Sequence, residues 1–133
     1  PLPTPAGLDE NAWARLHSSL GARAADLLPG IVRSFSHESE GLLATARAAL
    51  SSESRDELHR AIHTLKSTSA SFGARELSDL CREAEAIARS GDASTLVPLL
   101  DRIEAALAAV RQALDAPFAA PTFPSEPPPR SVQ

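Results

Sequence analysis

The sequence has little cysteine and little lysine, and it has no long apolar run. Its one cysteine, Cys81, cannot form an internal disulfide, which favours a reducing, cytoplasmic setting. The short apolar runs predict neither a transmembrane span nor a signal peptide. Basic residues are not in excess either, since 13 Lys and Arg stand against 17 Asp and Glu, for a net charge of −4. They are interspersed, so nucleic acid and anionic membranes are not indicated as partners.

Proline is nearly absent from the middle of the chain. Nine of the eleven prolines lie in residues 1–5 or 117–129. This distribution predicts a linker over residues 1–7, one domain over residues 8–115 and a proline-rich, flexible tail over residues 116–133.

Apolar residues recur every three or four positions throughout the predicted domain, and no stretch alternates with period two. The pattern predicts a short first helix capped by Asp9. It then predicts one long helix, or two nearly collinear ones bent near Pro29–Gly30, and three further helices. Ser54 and Glu57 form a capping-box pattern at the start of the third helix, and Gly73 is expected to end it. The predicted fold class is all-α: an antiparallel four-helix bundle with an additional short N-terminal helix.

The third predicted helix carries the only lysine of the chain, Lys66, three residues after His63. At about 100° per residue, His63 points away from the apolar stripe, and Lys66 lies on the flank of that stripe. An exposed helix face is usually filled with Glu, Lys, Arg or Gln. The outward positions after His63 instead hold small residues: Ser67, Ala70, Ser71 and Ala74. Small side chains leave room for another surface to approach the imidazole ring.

An exposed imidazole is mostly uncharged at pH 7 and keeps a lone pair, so it can act as a nucleophile. A neighbouring ammonium disfavours the protonated ring, and it also offsets the negative charge of a phosphoryl group bound to the ring. The residues around His63 are therefore compatible with a covalent phosphohistidine.

The stretch AIHTLKSTSASFGARELSDLCREAE resembles the signature of histidine phosphotransfer (HPt) domains of multistep His–Asp phosphorelays. The matching residues, in order and spacing, are His63, Leu65, Lys66, Ser67, Gly73, Leu77, Leu80, Cys81 and Glu85. The similarity covers roughly residues 8–115. The family most often has glycine four residues after the histidine, where this chain has Ser67. Serine is also small, so we expect the phosphoryl-transfer activity implied by the resemblance to persist.

The resemblance implies that His63 accepts a phosphoryl group from a receiver-domain aspartate and passes it to another receiver. Lys66 would stabilise the phosphoryl charge, and Gly73 would be a structural element of the motif. The implied docking positions are His59, Arg60, Ser67, Ala70 and Ser71. The implied partners are response-regulator receiver domains, which would bring the Mg²⁺, so the chain would need no cofactor of its own. With no nucleotide-binding loop, it would have no autonomous kinase activity.

Several alternatives stand beside this interpretation. A helical adaptor or scaffold that binds receivers without phosphorylation is compatible with the composition. His59 and His63 form an i, i+4 pair, but zinc normally takes three or four protein ligands and Arg60 stands beside them, so no metal site is predicted. We expect Cys81 to be a buried apolar residue. A solvent-exposed face is expected for Arg82, Glu83 and Glu85.

The proline-rich start and the absence of an initiator methionine are compatible with a piece of a longer chain, such as the C-terminal module of a hybrid sensor kinase. A trimmed stand-alone protein would look the same.

Overall fold

The computed structural model describes residues 4–5, 7–89 and 91–115. Most of the predicted linker and the whole predicted tail, residues 116–133, lie outside the described residues. Five α-helices occur in the described part: α1 (Glu10–Leu20), α2 (Ala24–Ser51), α3 (Arg55–Ser71), α4 (Arg75–Ala88) and α5 (Leu96–Asp115). Short 3₁₀ turns, Gly21–Arg23 and Ala93–Thr95, precede α2 and α5. No described residue belongs to a β-strand.

Helices α2 to α5 form a closed ring in which α2 packs against α3, α3 against α4, α4 against α5 and α5 against α2. Two ion-pair groups across the α2–α5 contact fix an antiparallel direction. Arg47 binds Asp101 and Glu104, whereas Glu40, earlier in α2, binds Arg111, later in α5. The predicted antiparallel four-helix bundle with a short N-terminal helix is therefore confirmed.

The core lies inside this ring, and each helix contributes to it the apolar stripe that its sequence predicts. The largest buried side chains come from all five helices: Trp13, Leu28, Phe35, Leu58, Ile62, Leu77, Leu96, Leu100, Ile103, Leu107 and Leu114. Cys81 is fully buried among them. No helix among the described residues is long and apolar enough to cross a bilayer.

The helix boundaries follow the sequence with one exception. The Asp9 carboxylate accepts a hydrogen bond from the Ala12 N–H at 3.0 Å and caps α1 as predicted. Helix α2 is continuous through Pro29, so the single-helix alternative is the correct one. The predicted capping box at Ser54 is not formed, because the Ser54 side chain makes no capping hydrogen bond.

The turn between α3 and α4 depends on Gly73. Helix α3 ends in a Schellman motif in which Gly73 has a φ of +79°. The N–H of Ala74 donates a hydrogen bond to the Ser69 carbonyl at 2.9 Å. The Gly73 carbonyl in turn accepts a hydrogen bond from the Asp9 N–H at 2.7 Å. A Cβ at Gly73 would lie 3.0 Å from Ala12 Cβ and from the Asp9 backbone. The glycine therefore ends α3 and also lets α1 dock against the turn.

Candidate functional site

The helices α3 and α4 present a polar cluster on their shared outer surface, and His63 stands at its edge. The His63 side chain is 54 % exposed. Its Nδ1 lies 2.7 Å from Oε2 of Glu85, which reaches across from α4. Within the described residues, Nε2 of the same ring has no hydrogen-bonding partner. One ring nitrogen is thus held by the protein and the other is open to an approaching molecule.

Glu85 is the centre of the cluster and lies close to three side chains of α3. Besides His63, the His59 ring approaches the same oxygen, Oε2, with its Nε2 at 3.1 Å. Lys66 Nζ lies 2.6 Å from the other oxygen, Oε1. The Glu85 side chain is only 15 % exposed. The expectation that Glu85 belongs to a solvated face is therefore wrong, whereas its neighbours Arg82 and Glu83 are exposed as predicted.

The charge of Glu85 follows from these contacts. The hydrogen bond from Lys66, with a smaller one from His63, holds the pKa of the Glu85 carboxyl below its usual range, although burial acts in the opposite direction. The group is therefore ionised at neutral pH, and an ionised carboxylate can only accept hydrogen bonds. Because Nδ1 of His63 faces that carboxylate, we assign the proton to Nδ1 and the lone pair to Nε2.

Lys66 lies where the sequence places it, on the flank of α3, but its ammonium contacts Glu85. It is 26 % exposed. The ammonium charge of Lys66 therefore stabilises the Glu85 carboxylate, and this carboxylate binds the His63 imidazole.

An open groove of about 790 Å³ runs beside His63 between α3 and α4. Three arginines line it, Arg60 from α3 and Arg82 and Arg89 from α4, together with a single outward acidic residue, Asp56. Arg82 also binds Asp79 at 2.8 Å. The surface next to His63 is therefore locally basic, although the chain as a whole carries a net charge of −4.

On the other side of His63, the predicted small-residue surface is present with one exception. Ser67, Ala70 and Ser71 are exposed. Ala70 leads into a second depression of about 300 Å³, where α1 contributes Arg15 and α4 contributes Ser78. Ala74 was expected to point outward but is buried, because the chain has already turned at Gly73 into α4.

The other residues considered in the sequence analysis are His59, Arg60, the potential metal ligands and Cys81. His59 is 20 % exposed and lies inside the Glu85 cluster, while Arg60 is exposed in the groove. No group of three or more His, Cys, Asp or Glu side chains in the described ranges is arranged to hold a metal ion. Burial raises the pKa of the Cys81 thiol to about 12, which leaves this cysteine unreactive.

Glu85 is the site residue that the sequence pattern places wrongly on a solvated face, although the sequence holds a signal for its true position. Glu85 follows Cys81 by four residues, so it lies one turn along α4 from a position on the apolar stripe. A carboxylate at the edge of a buried stripe is drawn toward any cation on the facing helix, and here that helix carries the only lysine of the chain.

The comparisons with known proteins agree with this geometry. The family model for the Hpt domain matches residues 30–113. The crystal structure of histidine-containing phosphotransfer protein B (HptB) from Pseudomonas aeruginosa PAO1 is similar to this chain, with a TM-score of 0.75 and 28 % sequence identity. The similarity covers 84 % of this chain and 93 % of that one. No curated protein sequence matches significantly. With well over half its length matched by the family model, the chain belongs to the Hpt domain family and is a histidine phosphotransfer intermediate of phosphorelay signalling.

Proposed function

We propose that His63 is the phosphoryl-carrying residue and that it receives the group on Nε2 from an aspartyl phosphate of a receiver domain. The observation that carries the proposal is the hydrogen bond between Nδ1 of His63 and the Glu85 carboxylate at 2.7 Å. It gives the ring a defined tautomer, with the lone pair on the nitrogen that faces solvent. No second histidine in the described residues combines this arrangement with an open approach.

The transfer step then needs no proton movement on this chain. The Nε2 lone pair attacks phosphorus, an N–P bond forms, and the bond from phosphorus to the aspartate oxygen breaks with its electron pair returning to the carboxylate. The proton on Nδ1 stays on the hydrogen bond to Glu85 throughout. Passing the group to a second receiver is the same step in reverse. Because such in-line transfer depends mainly on positioning and charge neutralisation, a rigid helix face suffices on the carrier side.

Lys66 has two roles in the proposal. It keeps Glu85 ionised through the 2.6 Å ion pair, and its positive charge close to the ring offsets part of the phosphoryl charge once the N–P bond has formed. The Mg²⁺ that such a transfer requires would come with the receiver domain, and this chain would bring no cofactor.

The docking surface in the proposal extends to both sides of His63. Arg60 lies on the groove side, while Ser67, Ala70 and Ser71 provide the low surface over which a receiver domain approaches. Ser67 replaces the family's usual glycine by a small, exposed side chain, which is compatible with close approach.

The proposal also includes the absence of kinase activity and the cellular location of the chain. Hpt domains are phosphocarriers and not kinases, and membership of this chain in a longer hybrid sensor kinase stays a prediction. A cytoplasmic location is supported by the single cysteine, Cys81, which is free and buried.

The test is phosphoryl transfer from a panel of labelled, phosphorylated receiver domains to the wild-type chain, to His63→Gln and to His37→Gln. His37 is an exposed histidine of α2 and is the matched control. We expect acid-labile, alkali-stable label on the wild type and on His37→Gln, and none on His63→Gln. Label that persists in His63→Gln would overturn the assignment. Receiver binding with no label on any variant would favour the adaptor alternative.

A further inference from the structure

The arginine-lined groove is the open groove between α3 and α4 beside His63, and it holds two arginines without acidic partners. Its third arginine, Arg82, is bound by Asp79 at 2.8 Å. No acidic side chain in the described part of the chain forms an ion pair with Arg60 or Arg89. The groove therefore carries positive charge that the chain itself leaves available.

Both of these arginines lie on the same side of His63. Arg55, the first residue of α3, donates a hydrogen bond to the Ala88 carbonyl at the end of α4, at 2.9 Å. The start of α3 therefore lies beside the end of α4. Arg60 and Arg89 line this part of the groove from opposite helices. The exposed small-residue surface lies in the other direction along α3.

The groove is lined mainly by polar and charged side chains. Ala86 is exposed between Arg82 and Arg89 along α4, and its small side chain leaves the space between these arginines unfilled. Sites for small molecules are concave and mostly apolar, whereas this groove is open and polar. Its volume of about 790 Å³ is also much larger than a single inorganic anion. The shape and the charge together favour an acidic segment of a partner protein.

We propose that the arginine-lined groove binds an acidic segment of the receiver domain, separate from the phosphorylated aspartate, and thereby determines which receivers exchange a phosphoryl group with this chain. The inference rests on the proposed function of His63 and adds the surface feature by which the partner is recognised. That feature is a set of carboxylates beside the reacting aspartate.

The chemistry of the guanidinium group supports this recognition. Its planar fork of N–H donors binds a carboxylate through two parallel hydrogen bonds. Because the groove begins beside His63, a receiver whose aspartate reaches Nε2 places another part of its surface over Arg60 and Arg89. Carboxylates at that place would be attracted, and lysines or arginines would be repelled. The reacting atoms are the same for every receiver, so the contacts in the groove discriminate between them.

The test uses the receiver domain of the panel that binds the wild-type chain most tightly, with dissociation constants measured by titration calorimetry. Arg60→Glu and Arg89→Glu reverse charges in the groove, and Asp56→Asn removes its single outward acidic residue. Arg33→Glu is the matched control, because Arg33 is exposed on α2. The acidic residues around the receiver's phosphorylated aspartate are replaced one at a time by lysine. Each receiver variant is then tested against the wild type and against both charge-reversal variants.

We expect Arg60→Glu and Arg89→Glu each to raise the dissociation constant about fivefold, because an exposed attraction becomes a repulsion. Arg33→Glu should leave it unchanged. Asp56→Asn should lower it about twofold, a gain that a folding defect would not produce. At least one lysine variant of the receiver should bind the wild type weakly and regain affinity for Arg60→Glu or Arg89→Glu.

The inference is overturned if the charge-reversal variants bind the receiver as Arg33→Glu does, or if no receiver variant restores their affinity. The half-saturating receiver concentration in phosphoryl transfer should follow the dissociation constant, and a loss confined to the maximal rate would also overturn the inference. If the wild type binds receivers but accepts no phosphoryl group, the proposed function fails, and the binding measurements still decide the role of the groove.

Discussion

At the scale of single residues, Glu85 organises the site. Its carboxylate lies within 3.1 Å of His59, His63 and Lys66, and these four side chains come from two helices only. The sequence predicts the three members on α3 as a group because their spacing is local. It does not predict the fourth, because the contact across two helices depends on how α3 and α4 are rotated against each other.

Acidification should weaken the fold through Glu85. Its pKa is lower in the folded chain than in the unfolded chain, so the unfolded chain takes up the proton first as the pH falls. The stabilisation by this carboxylate is complete above the ordinary glutamate value of about 4.3 and is lost as the pH falls through the lower folded value.

Urea unfolding at pH 7 and at pH 3 measures this effect. We expect Glu85→Gln to lose less free energy of unfolding between the two pH values than the wild type does. Glu83→Gln is the matched control, because Glu83 is an exposed neighbour on the same helix, and it should behave as the wild type. An equal pH-dependent loss in Glu85→Gln and in the wild type would contradict the ion-pair account.

At the scale of elements, the helices and their order follow from apolar spacing alone, since the core residues of each helix recur on one face. The predicted details that prove wrong are those that depend on side-chain geometry or on where the backbone turns. Ser54 has the right neighbour for a capping box, yet its side chain makes no capping hydrogen bond. Ala74 falls on the outward face of α3 if the helical spacing is continued past Ser71. The chain turns at Gly73 instead, so Ala74 is buried.

A substitution at Gly73 tests whether the turn between α3 and α4 needs a glycine. An alanine there would have to adopt a φ of +79° with its Cβ 3.0 Å from Ala12 Cβ and the Asp9 backbone. The left-handed conformation alone costs about 1–2 kcal/mol, and the close contact adds to it. We therefore expect Gly73→Ala to lower the free energy of unfolding by at least this amount.

Gly41→Ala is the control, because Gly41 lies inside α2 with open space around its Cβ position. That change should stabilise the chain by about 1 kcal/mol. Urea unfolding of both variants measures the difference. A Gly73→Ala variant as stable as the wild type would show that α1 does not need the close approach at the turn.

At the scale of the whole molecule, charge is distributed unevenly around the bundle. The α3–α4 face has the arginine-lined groove beside His63, while on the opposite α2–α5 face Arg47 and Arg111 are paired with acidic residues. A receiver domain with an acidic surface around its phosphorylated aspartate would be steered to the first face and not to the second.

The double variant Arg60→Gln/Arg89→Gln tests this steering against Arg47→Gln/Arg111→Gln, which removes the same charge from the opposite face. We expect the first pair to raise the half-saturating receiver concentration several-fold and to weaken its salt dependence, with the maximal transfer rate little changed. The second pair should leave the half-saturating concentration as in the wild type. Equal effects of the two pairs would mean that net charge, and not the groove, governs docking.

In the proposed mechanism, Nε2 of His63 carries the phosphoryl group while Nδ1 keeps its proton in the hydrogen bond to Glu85. The most direct measurement is the long-range ¹H–¹⁵N spectrum of the ¹⁵N-labelled chain after phosphorylation by a receiver domain, with phosphorus coupling used to identify the bonded nitrogen. We predict coupling at Nε2 of His63 and a protonated Nδ1 on the same ring. Coupling at Nδ1, or at any other histidine, would contradict this mechanism.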